Sequence, residues 1–376
     1  MPDKKVRVAV LGAALFAETG HIPGLRTHPQ AEVVALYSRD LGRAREMADR
    51  CGVSEATDDL AGLLARDGVD AVTIVSSNDQ HRPYALAALA AGKHVLCEKP
   101  LARTAAEAAE MTRAAHESGL VHMTGFTFRH TYCLEELRRC VAAGEIGKPH
   151  FIEVQGQWYV RMPDELEATW RDSLAVHGSG HVGEMGTHFI DTINYVSAPV
   201  AGYISEIAAV THVLPRKVKD PNGTLREADT PDMAAFLALT EDGLAANVIA
   251  SRITPPPIGY DRIHWGERQR GHFGYVIVTG DQGAMMATFT RGEGDTLQRT
   301  DERGRWQRVE LPAEASDGQP HGVARMMRAF VDAVLRGKTS ETDATFDDGY
   351  RAQSAVEAIL AGAHSRRWEP VATELD

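Results

Sequence analysis

Aromatic residues supply only 6% of the 376-residue chain, and cysteine occurs four times. Cys51, Cys97, Cys133 and Cys140 show no C-x-x-C spacing, so free thiols in a reducing, cytoplasmic setting are expected. No apolar run approaches transmembrane length. No segment repeats, and no tract has low complexity. Basic charge is also short, because 40 Lys+Arg against 52 Asp+Glu gives a net charge of −12 without a long basic run. That balance argues against nucleic acid or an anionic membrane as a partner. What remains is a soluble globular composition, 43% hydrophobic and 24% charged, long enough for two domains and a sizeable core.

The N-terminus admits two readings. Lys4, Lys5 and Arg7 before an apolar run to Ala17 resemble a signal peptide. The same residues also read as the first strand and turn of a nucleotide-binding fold, and the alternation that follows favours the strand. Strands are expected near 6–11, 32–37, 71–75, 94–97 and 121–124, with helices near 17–27 (interrupted at Pro23), 41–50, 82–91 and 104–118. Such alternation predicts a parallel sheet with right-handed crossovers. The pattern changes after Gly125. A helix over 132–143 precedes a long strand over 151–159, and a helix over 183–196 is expected to break at Pro199. Runs at 202–214, 233–240, 244–252, 273–279, 283–290 and 305–311 predict a mostly antiparallel sheet with hairpins at 241–243 and 280–283. Helices over 323–336 and 347–365 end the chain. The loop from Thr254 to His272 is too long for a simple connector and reads as cover for a site or a partner.

Four stretches carry candidate chemistry. Gly12-Ala13-Ala14-Leu15-Phe16-Ala17 follows the first strand and aligns with the dinucleotide fingerprint, although Ala14 stands where the second glycine is usual. After the second strand come Ser38 and Arg39, whose hydroxyl and guanidinium suit a 2′-phosphate; NADP(H) is therefore favoured over NAD(H), unless Asp40 turns inward. Glu98-Lys99-Pro100 ends an apolar strand. An amine there can stabilise an alkoxide or relay a proton, with Glu98 positioned to hold it. Finally, Glu184, His188 and Asp191 fall on one face if 183–196 is a regular helix, and a histidine there suits proton transfer from an alcohol. His177, His181, Glu184 and His188 also have metal-ligand chemistry, but the glycines among them predict a loop, and no metal is expected.

Taken together these motifs resemble the Gfo/Idh/MocA oxidoreductase family, through the glycine turn, Asn78-Asp79-Gln80-His81, Glu98-Lys99-Pro100, Trp170-Arg171 and the Gly178–His188 run. Glu184 departs from the aspartate usual there. The resemblance implies an α/β protein: a Rossmann domain over 1–125, then an α+β domain over 126–376 with a large, mostly antiparallel open sheet, its last helices packing back on the first domain. It implies an NAD(P)-dependent dehydrogenase or reductase acting on a secondary alcohol or ketone of a sugar, sugar derivative or cyclitol. Catalysis would fall to His188 as acid/base, Lys99 as assistant and Glu184 as substrate or His188 partner. Cofactor contacts would be Gly12 to Phe16, Ser38, Arg39, Ser76, Ser77, Asn78, His81, Glu98, Lys99, Trp170 and Arg171. Substrate contacts would add Arg129 and His264, with Trp265 beside it. A homo-oligomer, dimer or tetramer, through the C-terminal sheet is also implied. Two alternatives stay open: redox-assisted glycoside cleavage with a retained NAD, and a non-catalytic nicotinamide sensor.

Overall fold

Short, buried runs of Val, Ala and Leu build the N-terminal half, since strands covered on both faces have no use for polar alternation. In the computed structural model, which describes residues 5–159, 165–167, 170–219, 224–254, 271–290, 294–316 and 321–375, these runs become β1 (Val6–Leu11), β2 (Ala31–Tyr37), β3 (Ala56–Thr57), β4 (Ala71–Ile74), β5 (His94–Cys97) and β6 (His122–Thr124). They pair in parallel in the order β3-β2-β1-β4-β5-β6. Connecting helices start and stop on sequence signals. Asp40 caps Leu41–Cys51 and Thr104 caps Ala105–Ser118, while Gly52 and Gly119 close them at φ 61° and 64°. The expected helix over 17–27 is instead a π-helical turn, Ala17–His21, leading into Ile22–Arg26. Pro23 sits in the first turn of the second piece, where its missing N–H costs nothing, so the irregularity falls before it.

Two compact units divide the chain: Met1–His130 with His321–Gln353, and Thr131–Pro320 with Ser354–Asp376. In the first, Val8, Val10, Ile22, Leu25 and Leu36 share a core with Met326, Met327, Phe330 and Val331 from the helix His321–Arg336.

The second unit holds β7 (Pro149–Tyr159), β8 (Glu165–Glu167), β9 (Ile204–His212), β10 (Lys217–Lys219), β11 (Leu225–Glu227), β12 (Met233–Thr240), β13 (Ala245–Ser251), β14 (Gly271–Gly280), β15 (Gly283–Thr290), β16 (Gly294–Thr300), β17 (Trp306–Val309) and β18 (Glu369–Pro370). Nine of these form one sheet, β17-β16-β15-β14-β7-β13-β12-β9-β18, antiparallel except where β13 pairs with β7. The hairpins at 241–243 and 281–282 join β12 to β13 and β14 to β15. Phe189 fixes a helix on this sheet. Its ring lies where a Cβ on Gly156 would stand, 1.9 Å away, so β7 needs glycine there. That helix, Thr187–Ala201, continues through Pro199 instead of breaking at it. Pro199 lies in the last turn, where only one donor is lost and little helix remains to disrupt. β14 begins at Gly271, so most of the long loop, with His264 and Trp265, lies outside the described residues.

Two buried histidines of the first unit tie its stability to acid. Burial pushes His122 down from 6.5 to about 4, and its Nδ1 accepts the Phe346 N–H at 3.2 Å. Burial, then the charges of Arg129 and Arg325, push His130 down to about 3. Both take a proton less readily folded than unfolded. Their contribution is therefore complete above pH 6.5 and is lost as pH falls from there towards 4. Urea midpoints should drop across that window. His122→Asn keeps an acceptor for Phe346 without titrating and should flatten the drop; an unchanged slope would exclude His122 as its source.

Candidate active site

Gly12 makes the crevice of the first unit possible. It sits at φ 130°, and a Cβ there would lie 2.6 Å from the Val75 carbonyl oxygen. The ends of β1 and β4 thus approach closely where the strand order reverses, and in an open α/β sheet that reversal is the ligand crevice. Leu15 and Phe16 stand exposed at the turn, at 74% and 37%. At the end of β2, the Asp40 carboxylate accepts the Arg43 N–H at 3.1 Å and so caps a helix, while Arg39 remains exposed. Asp79 stands within the field of Arg39. Burial opposes its ionisation, but hydrogen bonds from the Ser77 hydroxyl and the Gln80 amide, with the Arg39 charge, hold it below the usual carboxylate range. This donor set, around a crevice that only glycine permits, fits a dinucleotide.

His81 and Asn78 lie inside this region, at 1% and 2% exposure. His81 faces the Pro100 carbonyl through Nδ1 at 2.9 Å and the Ser76 carbonyl through Nε2 at 3.3 Å. Burial pushes its pKa down, so one ring nitrogen donates, and the shorter contact assigns that proton to Nδ1. His81, at the start of the helix after β4, thereby donates to the loop after β5. The Lys99–Pro100 peptide in that second loop is cis. Glu98 is 7% exposed; its Oε1 lies 3.0 Å from His21 Nε2, and its Oε2 accepts the Lys99 backbone N–H at 3.3 Å. His21 is absent from the sequence motifs, since its partner is 77 residues away and its turn is π-helical. Arg129, expected at a substrate, is 6% exposed with its guanidinium 2.9 Å from Asp348.

In the second unit, Trp170 and Arg171 lie in the turn Trp170–Asp172. Glu184 belongs to a π-helical turn, Val182–Gly186, and His188 to the α-helix that follows, so the regular i,i+4 register assumed from sequence does not apply. Glu184 meets Arg171 Nε at 3.3 Å and lies 3.7 Å from His181 Nδ1. His188 and Asp191 are buried, at 5% and 1% exposure. Glycine shapes the approach. Gly180, at φ 58°, lies against Thr230 and Pro231, and Gly183 lies under the Ser179 hydroxyl.

Asp172, next to Arg171, anchors the turn through a buried quartet of charges. Arg216 bonds to Asp232 and to Asp172, the latter at 3.0 Å, while Arg252 Nε donates to Asp232 at 2.7 Å. Two positive and two negative side chains balance there, all at most 11% exposed.

Among the described residues, His116, His122 and Asp347 form a cluster of metal-ligand types. The Nδ1 lone pair of His122 already takes the Phe346 N–H, which places the ring proton on Nε2. Chemically the trio reads as a helix-start cap.

A family model described as an oxidoreductase family with an NAD-binding Rossmann fold matches residues 6–126, and a GFO/IDH/MocA C-terminal domain model matches 134–285. Levoglucosan dehydrogenase of Pseudarthrobacter phenanthrenivorans is 26% identical over 380 positions, covering 91% of this chain and 90% of that protein. Myo-inositol 2-dehydrogenase of Thermotoga maritima is 28% identical over 299, covering 80% and 79%. An oxidoreductase domain protein from Kribbella flavida matches with a TM-score of 0.85 at 26% identity, over 98% of this chain and 100% of that one.

Arg216→Met should leave Asp232 and Asp172 under-compensated in the interior and cost about 3–5 kcal/mol. Chemical denaturation measures this, and a loss under about 1 kcal/mol would show that the quartet is not holding the turn.

Proposed function

Because the chain belongs to the Gfo/Idh/MocA oxidoreductase family, we propose that it exchanges a hydride between a nicotinamide and a secondary alcohol or ketone of a sugar, sugar derivative or cyclitol. The observation that carries the reading is Lys99, an amine at the carboxyl end of β5 beside the strand-order reversal. A bound nicotinamide supplies the hydride acceptor or donor. The residues supply position and proton transfer. Lys99 stabilises the developing alkoxide, His188 accepts the hydroxyl proton, and Glu184, held by Arg171, orients substrate or imidazole. Leu15, Phe16 and the loop at Ser76-Ser77-Asn78 flank the cofactor. The named activities of the levoglucosan and myo-inositol relatives, one an anhydrosugar and the other a cyclitol, support this substrate class.

For the cofactor we propose NADP(H) over NAD(H). Arg39 is exposed at the end of β2, and the competing Asp40 is occupied as a helix cap. Absorbance of reduced nicotinamide, with NAD⁺ and NADP⁺ crossed against a sugar and cyclitol panel, tests both proposals. Lys99→Ala and His188→Ala should each lower kcat at least a hundredfold with cofactor binding retained. Arg39→Ala should weaken NADPH about tenfold and NADH less than twofold. Near-wild-type rates in the first two variants would remove the catalytic assignment, and an equal effect on both cofactors would remove the NADP preference.

We propose further that the outer face of the nine-stranded sheet pairs with another copy of this chain. Val210 and Leu237 are exposed there, at 59% and 49%, on the adjacent strands β9 and β12. Light scattering should give two or four times the 40.9 kDa chain mass, reduced by Leu237→Glu. A monomer would end the proposal.

A further inference from the structure

Behind the strand ends of the first unit lies a buried pair, His21 and Glu98. His21 is fully buried, and its Nε2 meets Glu98 Oε1 at 3.0 Å. Its Nδ1 meets no hydrogen-bond partner among the described residues, so the polar contact of the ring is the one that Nε2 makes with Glu98. The Glu98 side chain has little room to move. The Lys99 N–H holds Oε2, and a Cβ on Gly125 would lie 2.7 Å from Oε1. Phe16 packs edge-on to His21, with ring centroids 5.3 Å apart. A carboxyl group left unpaired in the interior is costly, and these contacts hold the Glu98 side chain in one position.

The sheet order says which end of a dinucleotide that anion faces. Ribose recognition belongs to the end of β2 and the pyrophosphate to the turn after β1. An extended dinucleotide therefore places its other end towards β4 and β5, and Glu98 is the first residue after β5. Oxidised nicotinamide carries a positive ring charge, and the reduced ring carries none. A carboxylate fixed in a low-dielectric strand end stabilises the first over the second.

We propose that Glu98, positioned by His21, biases the bound cofactor towards its oxidised form. This inference rests on the nicotinamide reading. Charge interactions add, so the amine of Lys99 shifts the baseline for both cofactor forms without reversing the sign of the Glu98 contribution. His21 is a positioning residue for the Glu98 carboxylate.

Dissociation constants for oxidised and reduced cofactor, read by nicotinamide fluorescence and by displacement, test the proposal without any turnover. Glu98→Gln keeps the shape and removes the charge. It should weaken the oxidised form about tenfold and the reduced form less than twofold. His21→Leu should shift the ratio in the same direction by a smaller factor, and His21→Gln, which restores a donor near Nε2, should return it towards wild type. Equal weakening of both forms by Glu98→Gln, or a ratio unmoved by both Glu98→Gln and His21→Leu, would overturn the bias. Failure of the sugar panel with the discrimination intact would overturn only the proposed activity. Failure of the wild type to bind either form would overturn both.

Discussion

A carboxyl group buried at the end of a parallel strand must be supplied with donors, and separate segments of the first unit converge to supply them to Glu98. The turn after β1 delivers His21, β5 delivers the Lys99 N–H, and the exit from β6 must be glycine at position 125 to leave room. These contacts join three segments that are distant in the chain. They fix where the amine of Lys99 begins, since its backbone is one of the donors. The loop beyond it is fixed from the other side, because His81, at the start of the helix after β4, donates to the Pro100 carbonyl. The proposed hydride transfer requires reacting groups placed to within a fraction of an ångström, and hydrogen bonds made behind the surface are the means this unit has to hold Lys99 in place.

The second unit solves the same problem with different materials. Its candidate proton carrier, His188, rides on a helix packed on the sheet, with Phe189 in the space left by Gly156. The turn carrying Arg171 is held by Asp172 in the charge quartet. A regular helix through Glu184 would give a simple periodic face. The π-helical turn spends an extra residue and re-aims Glu184 towards Arg171 and His181.

The sheet of the first unit was legible because its strands are short apolar runs between capped helices; β5 was read to the residue. The glycine turn after β1 and the place of Lys99 just beyond β5 were legible for the same reason, as motifs at strand ends. Illegible features depended on distance or on polarity. β16 (Gly-Asp-Thr-Leu-Gln-Arg-Thr) has one large apolar side chain and forms because β15 and β17 lie on either side. Arg129 looked available, yet its carboxylate partner Asp348 is 219 positions away. His21 carried no local signal, since only the folded sheet brings it to Glu98. Pro199 misled by its usual effect, which fades in a last turn. Most of the long loop with His264 lies outside the described residues.

The charge quartet has a consequence for how this chain can diverge. Arg216, Asp172, Asp232 and Arg252 come from separate segments, yet each is compensated by the others. Changing any one alone strands an interior charge, whereas exchanging the set for apolar residues of equal volume need not be costly. These four positions should therefore be inherited as one character, kept together or lost together across descendants of this sequence. The turn they anchor can then drift in loop length while its footing stays in place.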